Sequence, residues 1–413
     1  MNQAITLATP LKLANGAEIN NRFFKSAMSE QLGDKNHNPR SGLADVYRRW
    51  AEGGVGLNIT GNIMIDRTAL GEPKNVVLDQ KSDLSTFKKW TSAATANGSH
   101  LWAQLNHPGK QIPSFLTPEP VAPSAIPLTG GLEKVFNTPR ALLDSEVESV
   151  IQSFATSAAL AKEAGFTGVQ IHGAHGYLVS QFLSSRHNQR DDRWGGAMEN
   201  RMRFVLEVYK AMRAKVGEDF PIGIKLNSAD FMKGGFTEEE SMQVVKALSE
   251  AGINLIEISG GTYENPSMMG SKKNKPKAST VQREAYFLEY AEKVRKLVKT
   301  PLVVTGGFRS SQAMTDAIQS GATDMVGIAR PLTLIPDLPK KAIANDQYKT
   351  NFKEPTTGFK LVDKMIMINI VWYEQQIHLM AKGGNPKADL SGWSTVWMTL
   401  KSMGAQAFKK RRA

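Results

Sequence analysis

Cysteine is absent from the 413 residues of this chain, and its absence excludes several kinds of site. Disulfides, a thiolate nucleophile, cysteine-ligated zinc and iron–sulfur clusters all require that residue. Disulfide-free chains are typical of reducing compartments, so we expect a cytoplasmic location.

Long apolar runs are also missing. The opening stretch, MNQAITLATPLKLANG, has neither the basic start nor the apolar centre of a secretion signal. No run approaches the ~20 apolar residues that a membrane-spanning helix needs. We therefore expect neither a signal peptide nor a transmembrane segment.

Acidic residues are outnumbered: 39 Asp and Glu face 51 Lys and Arg, a formal net charge of +12. Such an excess can indicate binding to nucleic acid, an anionic membrane or a phosphorylated ligand. Here the basic residues are spread along the chain, with small clusters at SKKNKPK and FKKRR and no nucleic-acid-binding motif. We interpret the excess as a solvated basic surface and expect no nucleic-acid partner.

Short β-rich runs alternate with longer helical patterns along most of the chain. A hairpin is predicted first, because apolar alternation flanks Asn15-Gly16 in LKLANGAEI. Eight strands are then predicted, at residues 22–27, 55–60, 100–105, 168–172, 221–226, 254–259, 301–305 and 324–329.

Two of the helices between these strands carry clear start and stop signals. Capping boxes are predicted at Ser145 with Glu148 and at Thr237 with Glu240. Each of these helices should end at a glycine, Gly165 or Gly252. Eight repeats of strand and helix predict an α/β fold, a (β/α)₈ TIM barrel. An open doubly wound sheet would normally show G-x-G-x-x-G after its first strand, where this chain has SAMSEQLGD.

Active sites of such barrels lie at the carboxyl ends of the strands. The residues predicted there are Ser26, Ala27, Met28, Ser29, Asn62, Gln104, His172, His175, Tyr177, Lys225, Gly306, Gly307 and Arg330.

Phosphate and ring binding are the chemistries that several of these residues favour. Gly306-Gly307 and Arg330 follow the last two strands, where barrels often bind phosphate, although a tight turn and a surface arginine would show the same residues. Gln104 offers an amide that suits the edge of a pyrimidine-like ring. Lys225 could stabilise an anionic reduced flavin or form a salt bridge at the rim.

The stretch IHGAHGY contains His172 and His175 three residues apart, followed by Tyr177. The histidines could bind zinc, pack in the core or line a catalytic pocket. Zinc is disfavoured, because there is no H-E-x-x-H and no acidic residue ends the third, fourth or fifth predicted strand.

At this point the chain resembles the old yellow enzyme family of FMN-dependent oxidoreductases over residues 5–340. The resemblance depends on IHGAHGYLVSQFLS, RDDRWGGAMENRMRF, WAQLNHPGK, TGGF and GIAR, which occur in the expected order at the expected strand ends. It implies noncovalent FMN at the carboxyl rim of the barrel, reduced by NADH or NADPH. The second substrate would be a small electrophile, typically an enone or enal, that accepts hydride at its β-carbon.

The resemblance also implies roles for individual residues. His172 and His175 would bind the carbonyl or nitro oxygen of the substrate, and Tyr177 would protonate its α-carbon. Gln104 would bond the pyrimidine edge of the flavin. Further cofactor contacts would come from Ser26, Ala27, Met28, Ser29, Asn62, Lys225, Gly306, Gly307 and Arg330.

Three departures from the family pattern affect these expectations. Lys225 stands where the family usually has Arg, which keeps the charge but loses the planar fork. Ser29 stands where other members have Thr or Cys facing the flavin. Glu30 and Gln31 replace aromatic residues that often line the pocket. Dienoyl-CoA reductase relatives need a cysteine-ligated cluster, which this chain cannot hold.

Residues 1–340 are thus predicted to be the barrel, and residues 341–413 a helical extension. Between 365 and 373 apolar residues occupy nearly the whole helix circumference, and Trp393, Trp397, Leu400 and Met403 form a second stripe. We expect these helices to lie between the barrel and a second subunit of a homo-oligomer. A self-contained hairpin on a monomer, or membrane contact through FKKRR, are the alternatives.

Two other classes of function stay open at this level. One is a metal-dependent barrel hydrolase, and the other is a barrel scaffold for partner or membrane docking. A bound flavin would separate the oxidoreductase from both.

Overall fold

A computed structural model of the chain describes residues 5–264 and 287–403. The basic cluster at 271–277 and the terminal one at 408–412 lie outside these ranges. Thirteen strands are described, namely β1 (Leu11–Lys12), β2 (Glu18–Ile19), β3 (Phe23–Lys25), β4 (Leu57–Met64), β5 (Val76–Val77), β6 (His100–Asn106), β7 (Val121–Ala122), β8 (Arg140–Ala141), β9 (Gly168–Gly173), β10 (Ile222–Asn227), β11 (Leu255–Ser259), β12 (Leu302–Thr305) and β13 (Met325–Ile328).

Eight parallel strands close into a barrel, and the predicted TIM-barrel fold is confirmed. Their order is β3, β4, β6, β9, β10, β11, β12 and β13, and β13 pairs with β3 to complete the ring. Each predicted strand overlaps one of these eight. The second continues further than predicted, since β4 includes Gly61 and Asn62 after a shift in register that follows Ile59.

Helices surround this ring and follow most of its strands. The described helices are α1 (Ser41–Glu52), α2 (Leu84–Ala94), α3 (Asp144–Glu163), α4 (Leu178–Leu183), α5 (Met198–Arg201), α6 (Arg203–Val216), α7 (Glu238–Glu250), α8 (Leu288–Arg295), α9 (Ser311–Gln319), α10 (Arg330–Leu334), α11 (Leu338–Ala344), α12 (Lys360–Met365), α13 (Ile368–Ala381) and α14 (Gly392–Met403). In the described part of the chain, no helix combines the length and apolarity needed to cross a membrane.

The capping predictions had different outcomes. The box at Thr237 and Glu240 is confirmed, since each side chain bonds the backbone N–H of the other residue. The box at Ser145 and Glu148 is wrong, because α3 begins at Asp144. There the N–H of Leu143 donates to the carboxylate of Glu146 at 2.8 Å.

Two apolar layers make up the core. The inner one fills the barrel with residues such as Ile59, Trp102 and Val303, and it includes Leu11 and Ile19 of the β1–β2 hairpin. The hairpin therefore closes the amino-terminal end of the barrel, and the carboxyl end stays open for a site. The outer layer packs the ring of helices against the strands.

The extension packs over the rim of the barrel beside α1. The helical pattern predicted between 365 and 373 is divided between two helices, α12 and α13, because Met367 between them has a left-handed backbone (φ 50°). Trp372 is buried and its Nε1 donates to Leu390 O at 2.8 Å. The ring nitrogen Nε2 of His378 lies 2.7 Å from Glu30 O. The first contact joins two parts of the extension, and the second holds α13 at the open end of the barrel.

Candidate active site

A cavity of about 290 Å³ opens at the carboxyl ends of the barrel strands. Ten of the thirteen residues predicted from the sequence line it: Ala27, Met28, Ser29, Asn62, Gln104, His172, His175, Tyr177, Lys225 and Arg330. The remaining three, Ser26, Gly306 and Gly307, do not line it. Ser26 is buried and hydrogen-bonds Thr305 Oγ1 at 2.8 Å. Gly306 and Gly307 follow β12 with φ near 100°, a backbone conformation that favours glycine.

His172 lies near the end of β9, and the turn that follows brings His175 and Tyr177 to the same cavity. Gly176, within this turn, has φ 76°, and a Cβ there would lie 2.8 Å from Gln111 Oε1. Only glycine satisfies both conditions. The turn thereby places the ring of His172 4.8 Å from that of Tyr177.

The two histidines are in contact and uncharged. Nε2 of His172 lies 3.3 Å from Nδ1 of His175, whose Nε2 lies 2.8 Å from Ser259 Oγ. Burial is the main cause that lowers the pKa of both imidazoles well below the usual value, and the nearby Lys225 lowers both further. Neutral imidazoles can each donate one N–H. To bind one oxygen together, as predicted, they would have to exchange their mutual contact for the ligand.

Tyr177 lies beside a second tyrosine that the sequence analysis missed. The hydroxyls of Tyr177 and Tyr263 are 2.8 Å apart, and Asn62 Nδ2 lies 3.5 Å from the Tyr177 hydroxyl. Burial raises the pKa of Tyr177 well above its usual value, and Tyr263 adds to the effect. The phenol is therefore protonated throughout the neutral range and can act only as a proton donor there.

A hydrogen-bonded chain crosses the floor of the cavity. Gln104 Nε2 donates to Gln170 Oε1 at 2.7 Å, and Gln170 Nε2 donates to Glu257 Oε2 at 2.9 Å. Glu257 also pairs with Lys225, whose Nζ lies 3.2 Å from Oε1. Gln170 and Glu257 were missed from the sequence, although a polar residue in the middle of a buried parallel strand is a usable signal.

A second buried lysine positions the segment after β3. Lys25 Nζ donates to Ile59 O at 2.6 Å and to the Tyr47 hydroxyl at 3.0 Å, and it lies 3.7 Å from Glu30 Oε1. Burial lowers the pKa of Lys25 to about 8. The Glu30 carboxylate therefore points toward Lys25 and Tyr47. Like Gln31, Glu30 does not line the cavity.

Two carboxyl groups also line the cavity. Ser29 Oγ donates to Glu72 Oε1 at 2.7 Å, and Glu72 lines the cavity together with Glu374 of α13. Burial raises the pKa of both carboxyls, that of Glu374 to about 8. Neither residue was predicted from the sequence.

The extension thus forms part of the cavity wall. Its lining residues are Asn369, Ile370, Tyr373, Glu374 and Ile377. The guanidinium of Arg330 lies over the ring of Tyr373, 5.5 Å from its centroid, and Nη1 lies 3.3 Å from Glu354 Oε2. The apolar surface of this segment was evident from its sequence, but its position over the cavity was not.

The cavity fits a flat heterocycle with a phosphate better than a metal ion. Within residues 5–264 and 287–403, no three His, Asp or Glu side chains are placed to hold a metal ion. Asn62 Oδ1 and His172 Nδ1 are buried and have no hydrogen-bond partner among the described residues. Such atoms are expected where a ligand completes the site. Backbone at 27–29, the amide of Gln104 and the cations Lys225 and Arg330 could hold a flavin nucleotide.

Comparison with known proteins also indicates a family of flavin enzymes. The model of the NADH:flavin oxidoreductase / NADH oxidase family matches residues 6–349. The NADH-dependent flavin oxidoreductase iccE of Talaromyces variabilis is 34% identical over 411 residues, which are 92% of this chain and 99% of that protein.

Two further relatives are longer proteins. The NADH-dependent flavin oxidoreductase iliE of Neonectria sp. (strain DH2) is 38% identical over 81% of this chain, and the match spans 46% of that protein. The cinnamate reductase of Clostridium sporogenes is 32% identical over 84% of this chain and 54% of its own length. The chain therefore spans about half the length of these two relatives.

Among solved structures, the old yellow enzyme homologue from Zymomonas mobilis is similar with a TM-score of 0.72. The match has 26% sequence identity and covers 84% of this chain and 95% of that one.

Proposed function

The chain belongs to the NADH:flavin oxidoreductase / NADH oxidase family, as its old yellow enzyme motifs predicted, and from this we propose a specific reaction. The enzyme holds FMN noncovalently, accepts hydride from NADH or NADPH, and reduces the activated C=C bond of an enone, enal or related electrophile. The placement of Tyr177, His172 and His175 in one cavity with Gln104 and Lys225 is the observation that carries this proposal.

FMN, when bound, supplies the hydride chemistry. Gln104 and Lys225 would bind its pyrimidine edge, and the backbone from Ala27 to Ser29 would lie along its ring. Its phosphate would bind at Gly306, Gly307 and Arg330, where it would replace Glu354 as the partner of the guanidinium. Buried Glu257 neutralises much of the charge of Lys225, so we expect Lys225 to act mainly as a hydrogen-bond donor.

The histidines and the tyrosine act on the electrophile. Neutral His172 and His175 donate N–H groups to its carbonyl oxygen and stabilise the negative charge that develops there as hydride arrives at the β-carbon. Tyr177 then gives its proton to the α-carbon, and Tyr263 holds the phenol in position. The similarity to a cinnamate reductase supports an alkene conjugated to a carbonyl as the acceptor.

An absorption spectrum of the purified protein tests the cofactor, because bound flavin gives a band near ~450 nm. Anaerobic addition of NADH or NADPH should bleach this band, and cinnamaldehyde should restore it with formation of the saturated aldehyde. A colourless protein that cannot be reconstituted with FMN would overturn the proposal.

We also propose that residues 341–413 bind a second copy of the chain. Several apolar side chains of the extension face solvent, with Met365 75% and Trp397 69% exposed. Leu361 and Trp393 are exposed as well, so α12 and α14 present apolar surface to solvent. Burial of such a surface would stabilise a homo-oligomer.

A further inference from the structure

Two carboxyl groups in the cavity are not used by the proposed reaction. Glu72, in the loop between β4 and β5, and Glu374, on α13, both line the space that also contains His172 and Tyr177. Glu72 touches the segment assigned to the flavin through Ser29 Oγ, and Glu374 reaches the cavity from α13. The proposed reaction gives neither carboxyl a role, so both are free to bind another part of the electrophile.

Glu374 forms no ion pair with a lysine or arginine in the part of the chain that the structure describes. Its side chain is 6% exposed, and its Oε1 has no hydrogen-bond partner among the described residues. The basic group recorded near it is Nε2 of His378, at 4.0 Å. That imidazole already contacts Glu30 O, and burial lowers its pKa, so it is uncharged at neutral pH. An ionised carboxylate in this position would be costly unless a ligand supplied the missing charge.

The hydrogen-bond donors around Glu72 do not supply the positive charge that the two carboxyls lack. Glu72 accepts from Ser29 Oγ at 2.7 Å and from Asn75 Nδ2 at 3.3 Å, which are both neutral donors. Burial and the charge of Glu72, and to a smaller extent that of Glu30, oppose ionisation of Glu374, whereas a hydrogen bond with Gln31 and the charge of the exposed Lys74 partly offset them.

Cations elsewhere on the cavity wall already have partners. Lys225 pairs with Glu257, and Arg330 pairs with Glu354. Neither is therefore the counter-charge that Glu72 and Glu374 lack.

We propose that Glu72 and Glu374 recognise a cationic group, so that the preferred electrophile carries a protonated or quaternary amine in addition to its activated double bond. This proposal rests on the proposed function. The cation would bind between the two carboxyls and replace the proton that they hold in its absence. His172 and His175 would bind the carbonyl of the electrophile, and Glu72 and Glu374 would bind the cationic group of the same molecule.

Isosteric probes separate charge from shape. We would compare para-(trimethylammoniomethyl)benzaldehyde with para-neopentylbenzaldehyde, and the two meta isomers likewise, by calorimetric titration of the FMN-loaded enzyme. These aldehydes have no alkene to reduce, and the quaternary charge does not change with pH. For at least one isomer we expect the cation to bind about tenfold more tightly at about pH 8.

Three variants assign this preference to the carboxyls. Glu374→Gln and Glu72→Gln should each reduce the ratio of cation to neutral affinity several-fold. Glu250→Gln removes the same charge from an exposed site on α7 and should leave the ratio as in the parent protein. In the parent, the ratio should rise from about pH 6 to about pH 8.5, because the cation binds the ionised form of Glu374, whose pKa is about 8.

Equal binding of both members of each probe pair would overturn the proposal. A preference that persists in both Gln variants would overturn it as well. The corresponding cinnamaldehydes distinguish this failure from failure of the proposed function. If the neutral one is reduced but no charge preference exists, only the cation site is wrong. If neither is reduced while the benzaldehydes show the preference, only the reaction is wrong.

Discussion

The two sides of the cavity differ in origin and in chemistry. Apart from Glu72, the functional groups on the barrel side are neutral donors or paired charges, as in His172, Tyr177 and Lys225 with Glu257. The extension side comes from α13, which brings apolar side chains and the carboxyl of Glu374, whose Oε1 has no hydrogen-bond partner among the described residues.

In the proposed function, the groups on the barrel side carry out the reaction, and the carboxyl on the extension side selects the substrate. Neutral donors beside a flavin can polarise a carbonyl and supply a proton without a permanent charge that would compete with the developing one. A carboxyl on a helix added to the barrel can determine which molecule enters, and the reacting groups need not change. Four predictions test this separation.

The largest effect should follow removal of the extension side. Deletion of residues 355–413 removes the buried Trp372, Tyr373 and Ile377 together with part of the cavity wall. Loss of a single large buried side chain typically costs ~3–5 kcal/mol, so we expect the truncated protein to aggregate or to lose FMN. Light scattering and the flavin absorbance would show this.

Deletion of residues 392–413 alone is the matched control, since it keeps α13 and the whole cavity lining. It should retain FMN. If the longer deletion stays soluble and keeps the cofactor and activity of the full chain, the extension is not a functional part of the cavity.

Tyr177→Phe should have the next largest effect and act on the reaction alone. Loss of a positioned proton donor typically costs ~10²–10⁴-fold. We expect slow reoxidation of the reduced enzyme by an enone, with reduction by NADH or NADPH nearly unchanged. Stopped-flow absorbance resolves the two half-reactions. An oxidative half-reaction as fast as in the parent protein would refute the assignment of the proton donor.

The pH dependence of stability should report on Glu374. Burial raises its folded-state pKa from the ordinary 4.5 to about 8, so between these values the folded state holds a proton that the unfolded state has released. The free energy of unfolding should therefore fall as the pH rises through this window, and Glu374 should account for roughly 1–3 kcal/mol of the fall.

Glu374→Gln should flatten this part of the profile, and Glu250→Gln should not. Urea unfolding of the FMN-loaded proteins between about pH 5 and about pH 8.5 measures the free energy of unfolding at each pH. A parent profile as flat as that of Glu374→Gln would mean that the carboxyl is not buried as described.

The smallest effect on catalysis should come from the outer surface of the extension. Trp393→Ser combined with Trp397→Ser changes exposed side chains that do not line the cavity. Turnover should change by less than about twofold, while the mass of the assembly in solution should fall to that of one chain. An unchanged mass, or a parent protein that is already monomeric, would exclude this surface as the subunit interface.

The barrel and most of its site residues were predictable because their signals are local. A buried parallel strand is an apolar run, a helix start is a capping residue, and catalysis in this fold occurs at strand ends. Ten of the thirteen predicted site residues line the cavity for this reason. Prediction failed where two local signals competed, as at the start of α3. There Glu146, held by Arg140, caps the helix in place of the pair Ser145 and Glu148.

By itself, the sequence determined the closed barrel, the turn at Gly176 that presents two histidines and a tyrosine, and the glycines and arginine of the last two strand ends. Each of these depends on residues within a few positions of one another or on the repeat of the fold. Only the tertiary structure decided that Lys225 is paired with Glu257, that Tyr263 contacts Tyr177, and that α13 closes the cavity. Glu72 and Glu374 are 302 positions apart in the chain, and their meeting depends on how the extension packs against α1 and the barrel rim. Apart from polar contacts such as that of His378 with Glu30 O, this packing consists of apolar contacts, and a sequence pattern shows that such contacts are needed without showing where they are made.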